Sequence, residues 1–247
     1  MLGHYLSAVV RMLTVCVDFN PNLATLVYRF TDQPDRGVGS LVALSKALDQ
    51  VHYPTELDAF LQPSAGRVHV LHNDFEDVSA VAGLGRSALD AVRARLSQLA
   101  QLVIIDTGNS ITDQFFTAAV TGTDHLVLAL EGDDDALRTA RKGYDELVKL
   151  GHQRQLSTAT VIIGVRYPDL DPASLGWAHQ WWDDKCGAAF LVPYDPVLAG
   201  GGVIDWAALA PETELAFLHA CVHAGRTFTT PPAPTPAPRH YTDAASQ

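Results

Sequence analysis

Leu102-Val103-Ile104-Ile105-Asp106-Thr107-Gly108 is the stretch from which the rest of the chain can be read. Four consecutive apolar residues, three of them β-branched, suit a strand buried on both faces, and the carboxylate and glycine beyond them mark a turn. Similar runs occur at Leu13–Val17, which ends at Asp18, and at Arg67–Leu71, His125–Leu130, Thr160–Val165 and Ala189–Val192. Between them lie amphipathic helical patterns. Ser87–Leu99 places Leu89, Val92, Leu96 and Leu99 on one face, and Asp134–Leu150 starts with acids and stops at Gly151. Pro211–Ala224 opens with proline and acids and is followed by Gly225. Alternating strands and helices predict an α/β domain with a doubly wound, mostly parallel sheet and helices on both faces. In such sheets ligands sit beyond the carboxyl ends of the strands, which is where Asp18 and Asp106 fall.

Composition limits what the domain can bind. With 247 residues, 47% of them hydrophobic, the chain can bury a substantial core, and no shift in composition before residue 230 marks a second domain. We therefore expect one domain over residues 1–230 and a disordered tail over 231–247, where Pro231, Pro232, Pro234, Pro236 and Pro238 prevent regular pairing. A net charge of −11 opposes attraction to nucleic acid or anionic lipid. Cys16, Cys186 and Cys221 lack metal-ligand spacing and fit buried thiols in a reducing, cytoplasmic setting. No segment is long enough for a membrane span, and the first residues make a poor signal peptide. Leu2, Tyr5, Leu6, Val9, Val10 and Leu13 recur at helical spacing, so the chain is expected to open inside a helix with no cap before it.

Three segments close strands with distinctive residues. They are Val15-Cys16-Val17-Asp18-Phe19-Asn20-Pro21-Asn22, Leu102 to Gly108, and Val192-Pro193-Tyr194-Asp195-Pro196-Val197-Leu198-Ala199 followed by Gly200-Gly201. In order and spacing they resemble the MinD/ParA-type ATPases, the deviant-Walker branch of P-loop proteins that dimerise around ATP. The first segment is similar to that family's switch I, the second to its Walker B and switch II, and the third to the strand and loop bordering the base. The resemblance implies ATP and magnesium as cofactors. It also implies roles for the residues. Asp18 and Asn20 would be catalytic, ordering the attacking water; Asp106 would hold magnesium through water; Thr107 and Gly108 would sense the terminal phosphate; Pro193, Tyr194, Asp195 and Pro196 would wall the base.

The departures from this family are as informative. The family's first strand and its loop Lys-Gly-Gly-x-Gly-Lys-[Ser/Thr] are absent, and with them the amides and lysine that neutralise a triphosphate. Asn20 stands where many relatives carry aspartate, and Gly164 where an asparagine often reads adenine. The expectation is an ATP-binding dimerisation switch for intracellular positioning or partitioning, N-terminally incomplete and without hydrolysis by this chain alone. It would form a homodimer in its full-length form and act on a protein partner. The alternatives are a noncatalytic scaffold that binds a protein without ATP, and a domain that binds another small ligand at the same strand ends.

Other features read more simply as structure. His219, Cys221 and His223 lack a further metal ligand, Gly200-Gly201-Gly202 reads as a flexible turn, and Glu131-Gly132-Asp133-Asp134-Asp135 reads as a helix cap. Trp177, Trp181 and Trp182 read as core or interface.

Overall fold

The computed structural model describes residues 12–21, 25–35, 37–64, 68–73 and 77–227. The expected opening helix, apart from its last residues, and the proline-rich tail lie outside these residues, as does Asn22. The strands are β1 (Thr14–Asp18), β2 (Gln62–Pro63), β3 (Val68–Leu71), β4 (Leu102–Asp106), β5 (Val127–Gly132), β6 (Thr160–Val165) and β7 (Ala188–Val192). The longer helices are α1 (Leu41–Ala47), α2 (Arg86–Leu99), α3 (Gln114–Val120), α4 (Asp134–Lys149), α5 (Gly176–Lys185) and α6 (Pro211–Thr227). The α/β alternation is as the sequence predicts, and every pairing is parallel except that of β2 with β3.

Among the described residues the strands form two sheets rather than one. The first has the order β2-β3-β1-β4 and the second β5-β6-β7. β1 pairs with β3 on one side and with β4 on the other, residue for residue from Thr14↔Leu102 to Asp18↔Asp106. In the second sheet alternate residues of β6 face opposite cores. Val161, Ile163 and Val165 pack with Leu137 of α4 and Trp182 of α5, whereas Ile162 packs with Phe217 and Ala220 of α6. The period-2 geometry of a strand thus lets one apolar run serve helices on both faces.

α3 connects the sheets. Its cap is Asp113, whose Oδ1 accepts a hydrogen bond from Phe116 N at 2.7 Å. Phe115, Ala118 and Ala119 join the core of Val15, Val17, Leu89 and Leu96, while Phe116 and Val120 pack with Leu147 and Leu156 beside β5. One helix of 7 residues therefore contributes to both cores.

Several boundaries differ from expectation for visible reasons. β5 begins two residues late and runs on through Glu131 and Gly132, which pair with Gly164 and Val165. α6 continues through Gly225 to Thr227. Glycine ends helices most effectively in the left-handed region, and Gly225, unlike Gly151 at φ +92°, does not adopt it. α1 carries no strong sequence signal, but it is fixed by Ser40, whose Oγ accepts from Ala43 N at 3.3 Å, and by burial of Leu41, Val42 and Leu44.

The side-chain interior accounts for most of the features read as structural. Trp182 is buried against Trp181 and Tyr144, with ring centroids 4.7 and 5.8 Å away in edge-to-face geometry, whereas Trp177 is exposed. All three cysteines are free and buried, and burial pushes each thiol up to about 11. Thr160 Oγ1 lies 2.8 Å from both His125 Nε2 and His223 Nδ1, tying β6 to α6 and to the start of β5. His219 is exposed, and among the described residues no group of three potential ligands could hold a metal ion.

The packing predicts a large effect at Trp182. Trp182→Ala is expected to destabilise the protein by ~3–5 kcal/mol, measured by urea unfolding, because it leaves a cavity that Tyr144 and Trp181 cannot fill. The exposed Trp177→Ala is expected to change stability by less than about 0.5 kcal/mol.

Candidate functional site

The pairing of β1 with β4 puts Asp18 directly beside Asp106, and the chain beyond the strands stays locked, with Phe19 N donating to Asp106 O at 2.8 Å. Asp18 is buried. Its Oδ1 accepts from Asn20 N at 3.0 Å and its Oδ2 from Leu26 N at 3.2 Å, so the carboxylate holds the loop after β1 at two points. Burial pushes its pKa up to about 6, the amides of Asn20 and Leu26 partly offset this, and the charge of Asp106 raises it further. Asp106 itself is exposed, and its Oδ1 accepts from Gly108 N at 3.0 Å.

Gly108 and Asn20 fit against one another. Gly108 has φ +66°, and a Cβ added there would lie 2.8 Å from both Cγ and Oδ1 of Asn20. Only glycine meets both requirements without strain. Asn73 Nδ2 donates to Asn20 O at 2.6 Å, which ties the end of β3 to the same loop. Asp18, Asn20, Asp106, Thr107 and Gly108 thus lie at and just beyond the ends of two neighbouring strands.

The base-side residues are arranged otherwise. Asp195 is buried, its Oδ1 accepting from Val197 N at 2.9 Å and its Oδ2 from Ala210 N at 3.0 Å. Burial alone would raise its pKa, but the hydrogen bonds from Ala210, Thr213, Val197 and Leu198 outweigh it and the pKa is lowered. Asp195 therefore braces its own loop, while Pro193 and Tyr194 are half-buried and Pro196 is exposed.

Arg29 joins the two groups, and sequence reasoning did not find it. Its Nη2 donates to Leu198 O at 3.1 Å and its Nη1 to Gly202 O at 3.3 Å, and its own carbonyl accepts from Ile204 N at 3.1 Å. The loop after β1 is in this way fastened to the loop after β7. An arginine bonded only to main-chain oxygens leaves no charge pattern in a sequence, so no signal could have revealed it.

Between the sheets lies a cleft of about 750 Å³, bounded by Ile105 to Asn109 on one side and Leu126 to Glu131 on the other. Asp106, Glu131, Asp133 and Asp135 give it an acidic mouth. Arg166 is the basic residue lining it among those described, and its Nη1 is already 2.8 Å from Glu131 Oε2 and 3.5 Å from Asp133 Oδ2. Asp133 also caps α4 through Ala136 N at 2.8 Å, as the acidic run suggested. Pro193 to Pro196 do not line the cleft.

The arrangement of strands and helices around these residues is also found in solved structures of known function. The chain superimposes on a ParA family ATPase from Chlorobium tepidum TLS with a TM-score of 0.67 and 15% identity over 90% of each chain. It superimposes on the cell division ATPase MinD of Pyrococcus furiosus with a TM-score of 0.65 and 16% identity, covering 92% of this chain and 91% of that one. The fold is that of the ParA and MinD ATPases. A Cyanothece McdA–ATP complex is similar too, with a TM-score of 0.61 and 17% identity over 91% of this chain and 90% of that one. No family model and no curated protein sequence matches the chain. At these identities the likeness establishes the ParA/MinD fold, and function has to be argued from the site.

Two predictions follow from the loop geometry. Gly108→Ala should lower stability by ~1–3 kcal/mol in thermal unfolding, and adding Asn20→Ala should recover only the steric part, leaving the cost of the left-handed backbone. The second concerns pH. Because the folded pKa of Asp18 lies above its unfolded value, its contribution is fully present below about pH 4 and is lost as pH rises through about 6. Relative to an Asp18→Asn variant, the native protein should therefore lose ~2–3 kcal/mol of stability between pH 4 and 7.5, read from urea midpoints at each pH.

Proposed function

We propose that this chain is a nucleotide-switch domain of the ParA/MinD kind, in which a magnesium–nucleotide complex acts at the carboxyl ends of β1 and β4. The observation that carries this reading is the register that sets Asp18 beside Asp106, with Asn20 and Gly108 interlocked just beyond. In this reading Asp106 holds the ion through its water shell, and Thr107 and Gly108 respond to the terminal phosphate. Asp18 and Asn20 order the attacking water. Each Asp18 oxygen takes one backbone amide and retains a second lone pair for such a water. The loop from Pro193 to Pro196 forms the base-side wall. Through Arg29 its position depends on the loop after β1, so a change at one would be felt at the other.

The described residues suit magnesium better than they suit a triphosphate. A buried carboxyl whose pKa is raised beside a second carboxylate is a place where a divalent cation lowers the energy. The mouth of the cleft, in contrast, offers carboxylates to an anion, and Arg166 is engaged by two of them. In this reading a triphosphate needs a cationic grip, such as a glycine-rich loop with a lysine, that the described walls of the cleft do not supply. A nucleotide switch with such a loop would dimerise, and the acidic surface would favour a protein partner over nucleic acid or lipid. The cellular role that fits is positioning or partitioning in the cytoplasm. No described helix is long and apolar enough to cross a membrane.

The 247-residue chain is expected to show no magnesium-dependent ATP turnover above background. A version carrying an upstream strand and Gly-x-Gly-Lys-[Ser/Thr] loop should gain ATP-dependent dimerisation, measured by analytical ultracentrifugation, and Asp106→Ala should abolish it. Dimerisation that survives Asp106→Ala would remove Asp106 from the site.

A further inference from the structure

Thr160 opens β6 and is wholly buried, yet its hydroxyl is the meeting point of two imidazoles. Its Oγ1 lies 2.8 Å from Nε2 of His125, just before β5, and 2.8 Å from Nδ1 of His223 in α6. The two rings stand 5.9 Å apart, inclined at 66°, and Phe190 of β7 packs against His223 at 6.0 Å. The backbone fixes the hydroxyl between them. Thr160 N donates to Leu126 O at 3.0 Å, and Thr160 is in register with Val127 on one side and Ala188 on the other.

A hydroxyl carries one proton and can give it to one ring only, so the other ring must donate an N–H to Oγ1. With both rings neutral, one presents a bare nitrogen and the other an N–H, and the chain of bonds is complete in either direction. A further proton on the bare nitrogen breaks it. Both rings then aim an N–H at Oγ1, and the threonine proton loses its acceptor in a place that water does not reach, which is costly. Beyond Phe217 the buried side chains of α6 are the small Ala220, Cys221 and Ala224, so His223 carries a large share of that half's contact with the sheet.

We propose that His125, Thr160 and His223 form a proton-sensitive latch, which fastens α6 to β6 and to the start of β5 while both imidazoles are neutral and releases the carboxyl-terminal half of α6 when either is protonated. The surroundings agree with this geometry. Burial pushes His125 down from the usual 6.5 to about 4, and the neighbouring His223 adds to the effect. Burial also lowers His223, helped by Arg226 on its own helix and opposed by the Gly187 carbonyl and by Asp183 of α5. Both folded values lie below the unfolded one, so the latch contributes fully above about pH 6.5 and its contribution is lost as pH falls toward about 4. Asp18 works in the opposite direction and in the other sheet, so the two effects can be told apart. The latch involves no nucleotide and stands apart from the reading above.

The test is amide hydrogen exchange of the 247-residue protein without nucleotide from pH 7.5 to 4.5, corrected for the pH dependence of the chemical exchange step, together with nitrogen NMR of the histidine rings. Residues 218–226 should exchange at least about tenfold faster at pH 4.5 than at pH 7, while α2 changes less than about twofold. At pH 7.5 the ring spectra should show two neutral imidazoles, one protonated and one bare at the nitrogen facing Thr160. Thr160→Ser, which keeps the hydroxyl, should preserve the pH dependence. The near-isosteric Thr160→Val should speed exchange in residues 218–226 at least about fivefold at pH 7.5, which a packing role alone would not do. His125→Gln combined with His223→Asn supplies amides that take up no proton, and its exchange in α6 should be the same at both ends of the range. Titration of both rings near 6.5 with α6 protection unchanged would overturn the proposal. So would opening of α2 in step with α6, or a Thr160→Val protein that exchanges like the native one.

Discussion

The parallel pairing of β1 with β4 is the constraint on which the site depends. Five consecutive residue pairs fix the register, and the last of them is Asp18↔Asp106. A slip of one residue would turn the buried Val15 and Val17 out of the core that holds Leu89 and Leu96, so the register is enforced by burial. Burial is the main reason the pKa of Asp18 is raised and the charge of Asp106 adds to it, so placing the two carboxylates side by side is electrostatically unfavourable. Hydrophobic packing along the strands therefore determines a charge arrangement at their ends that the charges alone would not adopt.

Much of this was legible in the sequence because it rests on periodicity and strand-end chemistry. Continuous apolar runs gave away β4 and β6, and Asp18, Asn20, Asp106, Thr107 and Gly108 cluster because they follow neighbouring strands. What sequence could not convey was pairing. Which strands pair, and that among the described residues they divide into two sheets, is a property of spatial order that no local pattern encodes. Arg29 was hidden for a related reason, since its partners are main-chain oxygens at Leu198 and Gly202, which every residue type presents equally. Asp195 was visible as a strand-end residue, but only its partners Val197 N and Ala210 N reveal a brace for its own loop.

The cleft shows how one fold can carry different electrostatics. Strand ends in a ParA/MinD-like sheet are a natural place for an anionic ligand when amides and cations converge there. Here the described walls bring Asp106, Glu131, Asp133 and Asp135 instead, with Arg166 already engaged. The same backbone geometry is thus tuned toward cations, and any anion that enters needs its positive charge delivered from elsewhere.

The division into two sheets also bears on the order of assembly. Closing the pair β1 and β4 joins positions 88 residues apart, as at Leu13 and Gln101. In the second sheet Val127 meets Thr160 and Thr160 meets Ala188, so much shorter loops are closed. Loop-closure entropy grows with length, and non-local pairings are rewarded only after it has been met. The carboxyl-terminal sheet therefore closes its pairings at a lower entropic cost than the pair of strands that brings Asp18 beside Asp106.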